Sequence, residues 1–145
     1  MVAVPTSKLI GDAGEYLVAY ELSRLGAISV LTRDGSRGVD VLATKDGSKS
    51  MAFQVKASEG KNDPHKWAVG KKRPMASKSF YYVFANIGSD ESIKPEFFVV
   101  PSKIVKERVK WESSVPTFSL GKEELRKYRN WKPVKAYLGL PGGGK

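Results

Sequence analysis

The chain has 145 residues, of which 41% are hydrophobic, and this is typical of one globular domain. It contains no cysteine, which excludes disulfide bonds and thiolate-bound zinc. No apolar run reaches the roughly 20 residues of a membrane helix, and the N-terminal residues lack a signal-peptide pattern. We therefore expect a cytoplasmic protein, with one domain over residues 1–140 and a flexible tail at 141–145.

The net charge of +10 is concentrated in two segments of the chain. Residues 1–60 are neutral, whereas residues 61–78 hold six basic and one acidic side chains, and residues 102–135 hold ten basic and four acidic ones. Because a basic surface attracts phosphate backbones, this distribution favours a polyanionic partner. Charge does not distinguish DNA from RNA or from an acidic protein, so all three stay open, as does a basic protein without such a partner.

The N-terminal part of the sequence predicts one helix and three strands. Apolar residues at helical spacing predict a helix over residues 7–25, capped by Ser7 and ended by Gly26. Strands are predicted over residues 27–32, 38–44 and 51–57. Asp46-Gly47 is a typical hairpin turn, so the second and third strands should pair antiparallel.

The C-terminal part predicts a basic loop, two further strands and two basic helices. Residues 59–73 form the loop, residues 75–79 the end of a short helix, and residues 79–87 and 96–100 the strands. Helices follow at 102–110 and 122–129, before a tail whose Trp131 and Leu138, with Trp111, suit either a dimer contact or the core. The order α-β-β-β-α-β, continued by β-α-α, predicts an α/β fold whose mixed sheet is flanked by helices.

Polar side chains from the predicted hairpin share one face of the sheet. Side chains alternate along a strand, so Gln54 and Lys56 point away from the apolar Phe53 and Val55, and Asp40 shares the face of Gln54 and Lys56. Divalent cations such as Mg²⁺ prefer oxygen ligands, and Asp40, the amide of Gln54 and the backbone carbonyl of Val55 could supply them. Lys56 could orient water or stabilise phosphate charge. The alternative is an ordinary half-solvated sheet face.

The three stretches GEYLVAYELSRLG, RGVDVLAT and MAFQVKAS together resemble the PD-(D/E)xK nuclease superfamily. In that superfamily a first-helix glutamate precedes a strand aspartate and an acid-x-Lys triplet on the next strand. Glu15 matches the glutamate, Asp40 the aspartate, and Gln54 to Lys56 the triplet, with glutamine in place of the acid. The resemblance covers residues 7–58. Within the superfamily, this stretch looks most like the branch of restriction-endonuclease-like and Holliday-junction-resolvase-like proteins.

This resemblance implies a restriction-endonuclease-like core and a catalytic set of Glu15, Asp40, Gln54 and Lys56. It implies Mg²⁺ or Mn²⁺ held by Asp40, Gln54 and the Val55 carbonyl, with Glu15 nearby, and an endonuclease that hydrolyses DNA phosphodiesters, often as a homodimer. The glutamine removes one negative charge from the site. The alternative is therefore a degenerate nuclease fold that binds nucleic acid without cutting it.

Basic side chains on both sides of the hairpin are candidates for contacting DNA. They are Arg33 and Arg37, before Asp40, and Lys61, Lys66, Lys71, Lys72 and Arg73, after the triplet. Arginines of this kind can hold phosphate through two hydrogen bonds, although solvated turn residues are the alternative. Trp67 could stack on a base or lie in the core. No helix-turn-helix or zinc-finger pattern is present, which favours structure-selective or weakly sequence-specific binding.

Overall fold

The computed structural model describes residues 6–33, 38–61 and 63–143. Its helices and strands are, in chain order, α1 (Ser7–Arg24), β1 (Ile28–Leu31), β2 (Val41–Thr44), β3 (Ser50–Ser58), β4 (Lys66–Ala68), β5 (Phe80–Asn86), β6 (Glu96–Pro101), α2 (Ser102–Arg108), β7 (Thr117–Ser119), α3 (Leu125–Tyr128) and α4 (Lys132–Leu138), with a 3₁₀ turn at Lys122–Glu124.

The central sheet has five strands in the order β1-β2-β3-β5-β6. The pairs β1–β2, β2–β3 and β5–β6 are antiparallel, whereas β3 and β5 are parallel. The predicted hairpin is confirmed, because Val41 lies opposite Phe53 and Thr44 opposite Ser50. Its turn contains Gly47 at φ +94°, a backbone conformation that favours glycine. The mixed α/β sheet predicted from the order of elements is also confirmed.

The two faces of the sheet are covered by different elements. Helices α1 and α4 cover the first face, where Val18, Leu22, Phe53, Val83 and Val134 belong to one buried cluster. We call this the helix face. The opposite face is covered over β5 and β6 by α2, α3 and the small sheet β4–β7, around a second buried cluster. We call it the pocket face, because the functional site described below lies on it.

Helix α1 begins and ends close to the predicted positions, but its first residue is capped differently. The side chain of Thr6, not that of Ser7, accepts a hydrogen bond from the backbone N–H of Leu9 at 3.3 Å. The prediction of Ser7 as the cap was one residue too late. Gly26 follows the helix at φ +106°, as its predicted role in ending the helix requires.

Three predictions for the C-terminal part were wrong. Residues 75–79 contain no helix; the chain there is irregular and ends in a turn, in which the N–H of Phe80 donates to the carbonyl of Ser77 at 3.1 Å. The three-residue strands β4 and β7, which pair with each other, were missed, and the predicted tail contains α4. Short elements of this kind have too few residues for a periodic pattern, so their pairing partners determine them.

The tryptophans pack within the protein. Trp67 is 2% exposed, and its indole N–H donates to the backbone carbonyl of Ala85 at 3.2 Å, so it lies in the core and stacks on no ligand. Trp131 packs against the rings of Phe53 and Phe97. Core packing therefore accounts for Trp131. No helix among residues 6–33, 38–61 and 63–143 is long and apolar enough to cross a membrane.

Candidate active site

Asp40 is held at the point where the hairpin strands diverge, one residue before β2. Its backbone N–H donates to the carbonyl of Phe53 at 2.8 Å, and its own carbonyl accepts from the N–H of Thr32 at 3.0 Å. One carboxylate oxygen, Oδ2, accepts a hydrogen bond from the backbone N–H of Val55 at 2.8 Å. These hydrogen bonds fix both the backbone and the side chain of Asp40, and the other carboxylate oxygen, Oδ1, takes no part in them.

Gln54 and Lys56 lie on the pocket face of β3, as the alternation of side chains predicted. Phe53 and Val55 are buried on the helix face, whereas Gln54 and Lys56 are half-buried. The glutamine amide is approached closely by the backbone of Gly38, where an added Cβ would lie 3.9 Å from Gln54 Oε1. The structure therefore brings Asp40, Gln54 and Lys56 together at one end of the hairpin.

The charges of Asp40 and Lys56 influence each other in a partly dehydrated environment. Burial raises the pKa of Asp40, although the hydrogen bond from Val55 and the positive charge of Lys56 oppose the rise. Burial also lowers the pKa of Lys56, and the carboxylate of Asp40 opposes that change. Both groups thus lose solvation on folding, and each partly stabilises the charged form of the other.

Tyr82 is a further polar residue of this site, although it was not among the predicted site residues and belongs to the second buried cluster. It lies beside Gln54 in the register of β3 and β5, and it lines the same pocket as Gln54 and Lys56. Burial, together with the negative charge of Asp40, raises the pKa of Tyr82 to about 12, so its hydroxyl is a hydrogen-bond donor at neutral pH. The alternation within FYYVF does place it on the face of Gln54, but only the parallel pairing of β3 and β5 brings the two together.

Glu15 extends from α1, which crosses the other face of β3. Gly14 is buried, and an added Cβ there would lie 2.5 Å from Ala57 Cβ and 3.4 Å from Val55 Cγ1. This close approach requires glycine at position 14, and it sets the next residue, the half-buried Glu15, beside the C-terminal half of β3. Helix α1 and strand β3 thus meet at Gly14, one residue before Glu15.

The basic loop after β4 contributes three of the predicted DNA-contacting side chains to the site. Lys71, Lys72 and Arg73 line a pocket of about 540 Å³ together with Gln54 and Lys56. All three cations are exposed. The pocket therefore has positive charge along one wall and the candidate catalytic groups along another.

The remaining predicted contacts lie elsewhere. Lys61 and Lys66 line a separate pocket of about 360 Å³, in which the ammonium of Lys61 lies 3.7 Å from the carboxylate of Glu59. Arg33 is exposed and lines neither pocket, and Arg37 lies outside the described residues. The structure thus places Lys61, Lys66 and Arg33 outside the pocket of Gln54 and Lys56.

The ligand atoms at the site suit a hard cation that keeps much of its water. Asp40 and Gln54 offer a carboxylate oxygen and an amide oxygen on one face, and the backbone carbonyl of Val55 lies between Gln54 and Lys56 in the chain. Among the described residues there is no cluster of three or more His, Cys, Asp or Glu side chains. Mg²⁺ is commonly bound through one or two carboxylates and several waters, so the residues present fit Mg²⁺ and provide few charged ligands for it.

The sequence matches no protein-family model, and a comparison with curated proteins gave no significant match. The structure is similar to that of a bacterial homing endonuclease, with a TM-score of 0.56 and 15% identity over 82% of this chain and 78% of that chain. A second similar structure is Hjc, a Holliday junction resolvase of Archaeoglobus fulgidus, with a TM-score of 0.48 and 11% identity over 81% of this chain and 88% of that chain. Together with the arrangement of helix, hairpin and mixed sheet, the first similarity shows that this chain has a restriction-endonuclease-like fold.

Proposed function

We propose that this protein is a metal-dependent endonuclease that hydrolyses phosphodiester bonds in DNA, with Mg²⁺ or Mn²⁺ as its cofactor. One observation carries the proposal. Asp40, Gln54 and Lys56 share one face at the open end of the hairpin, in a restriction-endonuclease-like fold, beside a pocket lined by three cations. The similar homing endonuclease supports the reaction class, since its name describes a nuclease.

Each residue of the site has a role in this proposal. Asp40 Oδ1, Gln54 Oε1 and the Val55 carbonyl would hold the cation, while Asp40 Oδ2 stays bound to the N–H of Val55. Held there, Mg²⁺ would supply Lewis-acid chemistry toward the phosphate and toward water. Lys56, whose charged form is favoured by the carboxylate of Asp40, donates hydrogen bonds to a phosphate oxygen and stabilises its growing negative charge. Glu15 orients water at the edge of the site.

The basic loop supplies the grip on the substrate. Lys71, Lys72 and Arg73 neutralise phosphates next to the scissile bond, and this contact carries no base sequence information. Because the sequence has no helix-turn-helix or zinc-finger pattern, we propose structure-selective or weakly sequence-specific cutting. A cytoplasmic location and a homodimer that cuts both strands complete this proposal.

The decisive experiment is a cleavage assay across substrates and metals. Supercoiled plasmid, single-stranded DNA and branched DNA are incubated with the protein in Mg²⁺, in Mn²⁺ and in EDTA. We expect metal-dependent products from at least one substrate, and their loss in the Lys56→Met variant. No cleavage of any substrate in either metal would refute the proposal.

A second function is favoured by the low number of charged ligands. With glutamine at position 54, the site has one carboxylate on the hairpin, and an amide attracts a cation less strongly than a carboxylate does. A nuclease fold that binds nucleic acid without cutting it would show salt-dependent DNA affinity. That DNA affinity would be the same in Asp40→Asn and would not change on addition of Mg²⁺. For a metal-dependent endonuclease, by contrast, both the substitution and Mg²⁺ should change the DNA affinity.

A further inference from the structure

The pocket beside Gln54 and Lys56 has the size of a small-molecule site. Its volume of about 540 Å³ lies within the range of roughly 300–1,000 Å³ that is common for ligand pockets. A DNA backbone that simply crossed the site would need only a shallow groove, because the bases of a duplex stay stacked. The volume is therefore larger than a phosphate requires.

The walls of this pocket are apolar and aromatic, although its rim is basic. Phe80, Met75, Pro74 and Val69 form part of the lining. Met75 is 88% exposed, so a large apolar side chain stands beside the cavity with almost nothing covering it. The ring of Phe80 is half-buried and leans on Tyr82, with ring centres 5.6 Å apart and planes at 41°.

The pocket is fixed in place at both ends of the basic loop. At one end the backbone N–H of Val69 donates to the carbonyl of Pro116 at 3.0 Å. At the other end the hydroxyl of Ser102, which is fully buried, accepts from the N–H of Ser77 at 3.1 Å and donates to the carbonyl of Ser77 at 3.2 Å. These contacts hold the loop over the pocket face, so the cavity is preformed.

We propose that this pocket receives a single unpaired nucleobase of the DNA substrate, an inference that rests on the proposed function. A flat heterocycle stacks on the ring of Phe80 and against Met75. The hydroxyl of Tyr82 donates a hydrogen bond to an acceptor on the edge of the base, and the phosphates on either side of it meet Lys72 and Arg73. Binding of this kind combines stacking, which every base offers, with backbone charge.

The substrate class follows from this assignment. A paired base enters the pocket only after it has lost its stacking and pairing, and this loss opposes binding. A base that is already unpaired in a bulge, a flap or a branch point avoids this cost. The protein therefore selects DNA with unpaired nucleotides through the pocket, without reading their sequence.

The test compares two oligonucleotide duplexes of the same sequence, one fully paired and one with a single unpaired 2-aminopurine. Binding is measured by anisotropy in EDTA, and the emission of 2-aminopurine reports stacking on a protein ring. We expect the bulged duplex to bind at least about tenfold more tightly, with quenched emission on binding. Phe80→Leu should reduce that ratio by about fivefold or more.

The matched control is Phe97→Leu, which removes an equally half-buried ring on the neighbouring strand, on the helix face. It should leave the ratio unchanged. Met75→Ala is a second pocket variant, and its exposed position makes it safe for folding; it should lower the ratio in the same direction. Equal affinity for the two duplexes, or an unchanged ratio in both pocket variants, would overturn the proposal.

Cleavage of both duplexes in Mg²⁺ separates this inference from the proposed function. Equal affinity together with equal cutting refutes the pocket assignment and leaves the nuclease intact. Preferential binding of the bulged duplex without any cutting supports the pocket assignment and refutes the nuclease.

Discussion

The carboxylate of Asp40 accepts a hydrogen bond from the backbone N–H of Val55 at 2.8 Å, across the open end of the β2–β3 hairpin. This bond ties the acid to the strand that carries Gln54 and Lys56. The carboxylate thus has one oxygen committed to the fold and one left for the site. Structure and chemistry at this residue can therefore be separated by substitution.

Asp40→Asn should abolish metal-dependent cleavage while preserving the fold. Asparagine keeps an oxygen that accepts from Val55 N–H, but it removes a negative charge that burial already disfavours. We expect a free energy of unfolding equal to or above that of the parent, and loss of Mn²⁺ binding in calorimetric titration. Asp40→Ala should also lose metal, and about 1–2 kcal/mol of stability with it, because the N–H of Val55 loses its partner. A destabilised Asp40→Asn with intact cleavage would contradict this account.

Lys56→Met should reduce the cleavage rate by at least about 100-fold, since one preorganised donor to the transition state is lost. DNA affinity should change little, because the exposed loop cations supply most of the attraction. The measurement is single-turnover cleavage beside equilibrium binding. Lys45→Met, an exposed lysine near the hairpin turn, is the matched control and should leave the rate unaltered. Equal effects of the two variants would remove Lys56 from the mechanism.

Gln54→Glu should strengthen metal binding and lower the stability of the metal-free protein. A second carboxylate beside Asp40 adds charge for the cation, and we expect Mn²⁺ to bind about tenfold more tightly. Without metal, the two carboxylates repel each other and the pKa of Asp40 rises further. In EDTA, the Gln54→Glu variant should therefore unfold at a lower temperature than the parent. In saturating Mn²⁺, the variant should unfold at a higher temperature than the parent. Unchanged Mn²⁺ affinity would show that position 54 does not contact the ion.

Replacing Lys71, Lys72 and Arg73 with alanine should lower DNA affinity in a salt-dependent way. Each phosphate contact contributes about 0.9 to the slope of log K against log[salt], so the slope should shrink by about 2 to 3 units. The control replaces the exposed Lys103, Lys110 and Lys122, which lie outside the pocket. If the control shrinks the slope as much as the loop variant does, the DNA path runs over α2 and not over the pocket.

The Arg108–Glu124 pair should contribute stability only above the ordinary pKa range of glutamate. Two hydrogen bonds of 2.6 and 2.9 Å from Arg108, and one from the N–H of Gly121, hold the pKa of Glu124 below its usual value. Stability from a lowered acid pKa is present above the unfolded value and is lost as the pH falls through the folded one. Arg108→Met should therefore cost about 1 kcal/mol near pH 7, and the difference should shrink below about pH 4. Denaturant titrations of both proteins across this range provide the measurement.

The local features of the hairpin explain why the candidate site could be predicted from the sequence. Asp46-Gly47 fixes the turn, and strict alternation in β3 fixes which side chains share the face of Gln54. The turn and the alternation depend on residues close together in the chain, so no distant contact was needed. Gly14, the residue before Glu15, is a local sign of the close approach that the structure contains at Ala57.

The pocket could not be predicted because it depends on contacts between distant segments. The basic loop is positioned by Val69 against Pro116 and by Ser77 against Ser102. Strands β4 and β7, which direct it, have three residues each and are separated by most of the C-terminal half. Tyr82 lies beside Gln54 because β3 and β5 pair in parallel. Parallel strands are not joined by a tight turn, so no turn motif in the sequence indicates this pairing.

The parallel pairing of β3 with β5 means that residues 59–79 form a crossover whose two ends are anchored in the middle of the sheet. The hairpin that carries Asp40, Gln54 and Lys56 lies entirely before this crossover. The candidate catalytic residues and the basic loop therefore occupy consecutive stretches of the chain. A crossover of different length or charge, grafted between the same two strands, should change the cations at the pocket while the hairpin residues and Phe80 and Tyr82 of β5 stay as they are.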